Sequence, residues 1–342
     1  MRRKSATPCD CKKNRNFTQK NNNSKIENNI MKGIVIRNTG NSYLVRVDVG
    51  GTLLCKVKGN FRLKGIRTTN PVAVGDVVNV DVIADSADAF YITKVYPRRN
   101  YIIRRASNLS KESHIIAANV DCAVLIATIA HPTTATTFID RFLVTAEAYG
   151  VPAVIVFNKV DLLDEELNEY LDAITYLYRS IGYKVIHCSA VDGTGIVSLR
   201  EYLKDKVSLF AGNSGVGKTT LLNQLIPGID AKTAEISEAH DSGMHTTTFS
   251  AMYDLPGGGA IIDTPGVRGF GTIDMSKEEV AHYFPEMFAL SHECRFANCT
   301  HTHEPGCAVL AALDNQMIAQ SRYTSYLSIL EDSEQGKYRK PQ

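Results

Sequence analysis

The octapeptide Gly212-Asn213-Ser214-Gly215-Val216-Gly217-Lys218-Thr219 fits the pattern G-x-x-x-x-G-K-[ST], which constrains the surrounding fold tightly. Such a loop needs a buried strand before it and a helix after it, so that backbone N–H groups curl around phosphate oxygens at the helix N-terminus. Both flanks are present, an apolar run at 207–210 and a helical pattern at 220–225. In this arrangement Lys218 neutralises the outer phosphates and the Thr219 hydroxyl binds Mg²⁺. Residues Gly212 through Thr219, with Thr220 behind them, are therefore candidates for nucleotide binding.

The phosphate loop alone cannot choose a base. Upstream, Asn158-Lys159-Val160-Asp161 follows an apolar strand over 153–157. A carboxylate at Asp161 can accept from both guanine N1–H and the exocyclic amine, and adenine offers a donor at neither place. Asn158 is expected at the opposite edge of the base, and the Lys159 stem over the ring. Ser189-Ala190, after a strand over 185–188, supplies a backbone N–H near guanine O6. The three together specify GTP and GDP rather than ATP.

Downstream, Asp263-Thr264-Pro265-Gly266 follows a strand over 260–262. Asp263 is expected to hold Mg²⁺ through water, and the Gly266 N–H to sense the γ-phosphate. Between the loop and this aspartate lies Gly243-Met244-His245-Thr246-Thr247-Thr248, where Thr247 is the candidate to close over Mg²⁺. A water-orienting Gln often follows the second glycine-bearing motif, but this chain has Val267. His245 is the candidate to supply that function, the alternative being a local packing or capping role. The base-reading motifs precede the phosphate loop, which is the reverse of the usual order. A permutation moves only chain ends, so the site survives it. It also sends the Asp263 loop straight into the C-terminal region.

That region carries Cys294-x4-Cys299-x-His301-x5-Cys307. Three thiols and an imidazole favour tetrahedral Zn²⁺, and four protein ligands make a closed, structural site. His303 and His292 are competing nitrogen donors. The chain has eight cysteines and no run approaching the roughly 18 apolar residues of a membrane helix. Its N-terminus is basic without an apolar segment behind it, so a reducing, cytoplasmic setting is expected.

Residues 1–98 hold 18 Lys and Arg against 7 Asp and Glu, whereas the remainder holds 20 against 29. A basic first third suggests a polyanionic partner such as RNA. Residues 1–30, rich in Asn and Lys, are too polar to build a core and are expected as a basic disordered tail; Cys9 and Cys11 lie there without a convincing metal set. From 33 to 96, short alternating runs separated by turns predict a small β-barrel, OB-type or SH3-like. After about residue 100 strands and helices alternate. Strands are expected over 120–128, 153–157, 185–188 and 207–210, with helices over 138–149, 165–180 and 195–203. That is an α/β domain with a mostly parallel sheet. The expected division is tail 1–30, barrel 31–98, permuted P-loop domain 99–273 and zinc-binding helical domain 274–342.

Taken together, the barrel with Val74-Gly75-Asp76, the permuted motifs, His245-Thr246-Thr247-Thr248, Phe284-Pro285-Glu286 and the Cys/His cluster resemble the RsgA family of circularly permuted GTPases. The resemblance covers about residues 31–330 and leaves the tail unexplained. It implies an OB-fold, a GTPase domain and a zinc domain, acting on the 30S ribosomal subunit and its 16S rRNA in late maturation. It also implies ribosome-stimulated GTP hydrolysis followed by release, by a cytoplasmic monomer with no membrane partner. The competing class is a non-catalytic RNA-binding module in which GTP only stabilises the fold. If His245 orients the attacking water, His245→Ala lowers stimulated turnover at least about 10²-fold while sparing GTP affinity. Unchanged stimulated turnover removes His245 from the mechanism.

Overall fold

The computed structural model describes residues 30–40, 42–57, 71–82, 89–105, 113–229, 250–264 and 275–335. His245, Thr247, Gly266 and Val267, together with the tail cysteines, lie outside the described residues.

Alternation of buried and half-exposed residues drives the first unit. In β2 (Tyr43–Val47), Tyr43, Val45 and Val47 point inward. It pairs with β1 (Met31–Asn38) and β3 (Thr52–Val57), both antiparallel. β3 pairs in parallel with β5 (Phe90–Val95), β5 with β4 (Val77–Val82), and β4 with β1, which closes the barrel. The closed order β1-β2-β3-β5-β4 decides the alternative left open by sequence in favour of the OB-type barrel. Val35, Val45, Cys55, Val78, Val80 and Ile92 fill it.

The strand–helix alternation begins later than expected. β6 (Tyr101–Arg105) and β7 (Ser113–Ala118) form a separate antiparallel pair ahead of it. Its inward residues, among them Ile102 and Ala117, pack into the core of the following domain. The Val74-Gly75-Asp76 turn docks on the end of this pair. Gly75 has φ +92°, and a β-carbon there would sit 2.1 Å from the Ala118 carbonyl oxygen, so only glycine permits the approach. Beside it the buried Asp76 accepts from Arg98 Nε at 2.6 Å and Nη2 at 2.7 Å.

The second unit is a sheet in the order β10-β9-β8-β11-β13-β12. Its strands are β8 (Cys122–Ala127), β9 (Ala153–Phe157), β10 (Lys184–His187), β11 (Val207–Gly212), β12 (Ala251–Asp254) and β13 (Ala260–Asp263). All neighbours are parallel except β12 against β13. Every residue of β8 is buried, as a strand covered on both faces requires. Helices α1 (Thr136–Ala148) and α2 (Glu165–Ile181) cover one face through Phe142, Leu143 and Tyr178. α3 (Ile196–Leu203) and α4 (Lys218–Leu225) cover the other through Leu199, Leu203, Leu221 and Leu222. The edge strand β12 bonds to barrel strand β1, with Arg37 opposite Ala251, so barrel and domain share one sheet. The Arg46 guanidinium on β2 meets the Asp254 carboxylate at the same seam.

The C-terminal helices are α5 (Lys277–Val280), α6 (Pro285–Ser291), α7 (Ala308–Asp314) and α8 (Gln320–Gln335). Helix α8 lies along α1, and a buried charge fastens them. Arg322 on α8 is fully buried. It donates to Asp140 Oδ1 on α1 at 2.7 Å and to Glu286 on α6 at 2.6 and 3.1 Å. Tyr178 also donates to Asp140 Oδ1, at 2.9 Å, and the Phe284 ring lies 4.5 Å from the guanidinium carbon. Truncating one member of such a network leaves buried charge uncompensated. Arg322→Met is expected to cost about 3–5 kcal/mol, read as a lower urea midpoint, with partial recovery when Asp140→Leu is added. An unchanged midpoint in the single variant would mean that the network carries no stability.

Candidate functional site

The sheet gathers the described candidates at one edge, the carboxyl ends of its parallel strands, where α/β sheets bind ligands. Residues 128–135 follow β8, Asn158 to Asp161 follow β9, and Ser189-Ala190 follow β10. The phosphate loop leaves β11, and Asp263-Thr264 end β13.

The phosphate loop turns into α4 at Gly217, whose φ is +88°. A β-carbon on Gly217 would lie 2.4 Å from Asn158 Nδ2, so glycine here serves contact between two motifs as well as the turn. Asn158 is 3% exposed. Its Nδ2 donates to the Val216 carbonyl at 2.8 Å, and its Oδ1 accepts from the Ala190 N–H at 3.2 Å. This side chain therefore joins the phosphate loop, the base-reading motif and the Ser189-Ala190 loop. Sequence alone places Asn158 at an edge of the base and a Ser189-Ala190 backbone N–H near guanine O6; in the structure the Ala190 N–H is bonded to Asn158 itself. Ser189 is fully buried, and its Oγ accepts from the backbone N–H of Val191 and of Asp192, each at 3.2 Å.

Lys159 adopts φ +65°, and Val160-Asp161-Leu162 form a 3-10 turn that leaves the Asp161 carboxylate exposed. The Lys159 ammonium donates to the His131 carbonyl in the β8–α1 loop. Sequence reasoning missed this loop. The available signal was topological, because β8 lies between β9 and β11 and its following loop must open onto the same edge.

At the phosphate end, Lys218 Nζ donates to Asp263 Oδ1 at 2.7 Å. Phe210 and Asp263 are register partners, so adjacent strands deliver the cation and the carboxylate together. Thr219, half-buried, opens α4 next to Lys218, while Thr220 is exposed. A phosphate group would take over Lys218, and the freed Asp263 would face Mg²⁺.

A family model for the RsgA GTPase matches residues 95–273, and one for the RsgA N-terminal domain matches residues 32–90. The chain belongs to the RsgA GTPase family. It is 58% identical over 309 residues to the small ribosomal subunit biogenesis GTPase RsgA of Bacteroides fragilis, covering 90% of this chain and 99% of the relative. The crystal structure of YjeQ from Thermotoga maritima superposes with TM-score 0.71 at 34% identity, covering 89% of this chain and 98% of that one. YloQ, described as a circularly permuted GTPase, superposes with TM-score 0.69 at 29% identity, covering 94% and 100%. This RsgA-family chain is accordingly a GTP hydrolase that uses Mg²⁺ with its nucleotide, and its motif order is permuted.

In the C-terminal unit, Cys294, Cys299, His301 and Cys307 bring their ligand atoms within 4.8 Å of one another. His301 Nδ1 lies 3.6 Å from Cys294 Sγ and 3.3 Å from Cys307 Sγ, and the two sulfurs are 4.0 Å apart. Tetrahedral Zn²⁺ with ordinary bond lengths needs edges of about 3.6 Å for N–S and about 3.8 Å for S–S, so the set fits. Of the rival histidines, His303 bonds Thr302 Oγ1 at 2.8 Å and His292 is exposed beside Glu293. Burial pushes the Cys299 thiol up to about 12 and also raises Cys307. The Cys299 and Cys307 thiols are therefore held protonated at neutral pH, and a cation must displace those two protons. Around the cluster, Tyr323 and Tyr326 donate to the carbonyls of His301 and Thr300, tying it to α8.

Base reading at Asp161 has a direct test. Asp161→Asn should weaken GTP binding by roughly 10²–10⁴-fold, the loss of two charged hydrogen bonds. Xanthosine triphosphate, whose C2 carbonyl can accept from an amide, should bind the variant better than GTP does. If the variant keeps wild-type GTP affinity in a titration, Asp161 does not read the base.

Proposed function

We propose that this chain serves biogenesis of the small ribosomal subunit as a GTP-controlled docking factor. In the GTP state it binds the assembling 30S subunit through 16S rRNA, and it acts late in maturation. Hydrolysis stimulated by the subunit then releases it. The observation that carries this reading is the near-complete match to relatives named small ribosomal subunit biogenesis GTPases, at 58% identity. The turn that leaves the Asp161 carboxylate exposed at the nucleotide edge and the basic first third of the chain support it.

Within this reading the chain divides into a basic tail (1–30), an RNA-binding barrel (31–98), the permuted GTPase domain (99–273) and the zinc-binding helical domain (274–342). GTP is held by Gly212 to Thr220, Asn158 to Asp161, Ser189-Ala190, Asp263 and Gly266, with Mg²⁺ on Thr219, Thr247 and Asp263. His245 orients the attacking water. One structural Zn²⁺ sits on Cys294, Cys299, His301 and Cys307, where the fit of the four donors supports it. The factor works as a monomer in the cytoplasm, where ribosomal subunits assemble.

Co-sedimentation with 30S particles tests the switch. Binding should be strong with a non-hydrolysable GTP analogue and weak with GDP or without nucleotide; equal binding in all three states contradicts the proposal. Elemental analysis should find one zinc per chain. Chelation should lower the melting temperature of the C-terminal unit, and a zinc-free protein with unchanged melting would rule out a structural metal.

A further inference from the structure

Lys159 of the base-reading motif reaches outside the nucleotide motifs to a residue in the β8–α1 loop. Lys159 and His131 both adopt left-handed backbone conformations, φ +65° and +54°, and the Lys159 ammonium donates to the His131 carbonyl. Non-glycine residues in that region are uncommon and concentrate at ligand clamps. The Lys159 stem runs alongside the phosphate loop, its Cε 3.8 Å from where a β-carbon on Gly217 would sit. At the same place Pro132 covers the loop, its Cδ 3.4 Å from a β-carbon built on Gly215.

The segment making these contacts is internally braced. The Thr128 hydroxyl donates to the Pro132 carbonyl. The Thr128 N–H donates to Thr134 Oγ1 at 3.0 Å, and the Thr134 N–H returns a bond to the Thr128 carbonyl at 2.9 Å. Thr128 and Thr134 are buried, whereas His131 and Pro132 are exposed at the loop tip. Two buried threonines thus hold an exposed tip against both the base-reading motif and the phosphate loop.

We infer that the β8–α1 loop, residues 128–135, is a positioning wall of the guanine-nucleotide site that fixes the Lys159 stem under the base. A lysine stem free in solvent samples many rotamers, and stacking a base on it would cost that freedom at each binding event. Anchoring the ammonium on the His131 carbonyl removes the cost beforehand, in the free protein. The effect belongs to nucleotide retention and not to the chemical step, because the contacts that define the wall go to Lys159 and to the phosphate loop at Gly215. Thr134 is a positioning residue acting through Lys159. This inference rests on guanine binding at the site and not on any ribosomal partner; GDP binding by the unaltered protein in the same assay is its control.

The experiment is a double-mutant cycle on the GDP dissociation rate of the full chain, read with a fluorescent GDP analogue. Thr134→Val, which keeps shape but removes the hydroxyl, should speed dissociation about tenfold, the scale of one lost hydrogen bond. Thr134→Ser should stay within about twofold of the unaltered protein, since it restores that bond. In a Lys159→Ala background Thr134→Val should add nothing. Pro132→Ala, at an exposed position, repeats the comparison without touching the core and should behave as Thr134→Val does. Unchanged dissociation in both loop variants overturns the inference. So does an equal acceleration with and without Lys159, which would assign the loop a purely structural role.

Discussion

The nucleotide site depends on one buried amide. Asn158 donates to the phosphate loop at Val216 and accepts from the Ser189-Ala190 loop at Ala190. Three motifs on three strands are thereby held in one geometry before any ligand arrives. A buried amide left without partners is costly, so the contact constrains the loops as firmly as it constrains Asn158. Gly217 is the matching requirement, because any side chain there would drive the phosphate loop off Asn158. Chain order does not enter these contacts, which is why the site tolerates the permutation.

Permutation instead changes what is attached to the sheet. The antiparallel edge strand β12 leads directly into β13 and Asp263, and the barrel joins the sheet through that same β12. Separately, α1 carries the C-terminal helices through Arg322, Asp140 and Glu286. The barrel and the Cys/His unit are therefore each fastened to an element that runs out of the nucleotide edge. A factor proposed to dock and release with nucleotide state needs attachments of this kind, since only contacts that differ between states can shift affinity for a partner.

Local sequence points to the candidate site more directly than to the scaffold. The phosphate loop, Asn158 to Asp161 and Asp263 are legible as candidates because each puts its chemistry within a few residues of a strand end, and the cysteine cluster because its four donor residues fall close together in sequence between two helices. The choice between OB-type and SH3-like barrels was not legible, because it rests on the parallel pairing of β3 with β5, a long-range register. The β6–β7 pair escaped for a related reason: two short strands bury Ile102 and Ala117 in a core whose other members lie far away in sequence. Arg322 belongs to no sequence motif, and its burial becomes intelligible only when Asp140 and Glu286 converge on it. The sequence places Lys159 at the base, but its anchor at His131 follows only from the sheet order.

In the proposed function, the particle to which the chain binds controls hydrolysis at the permuted guanine site. Steady-state GTP hydrolysis by the full chain, with and without purified 30S subunits, tests it most directly. Turnover should be slow alone and rise at least about 10²-fold with subunits, the scale contributed by one well-placed catalytic group. The same rate with and without subunits would contradict it.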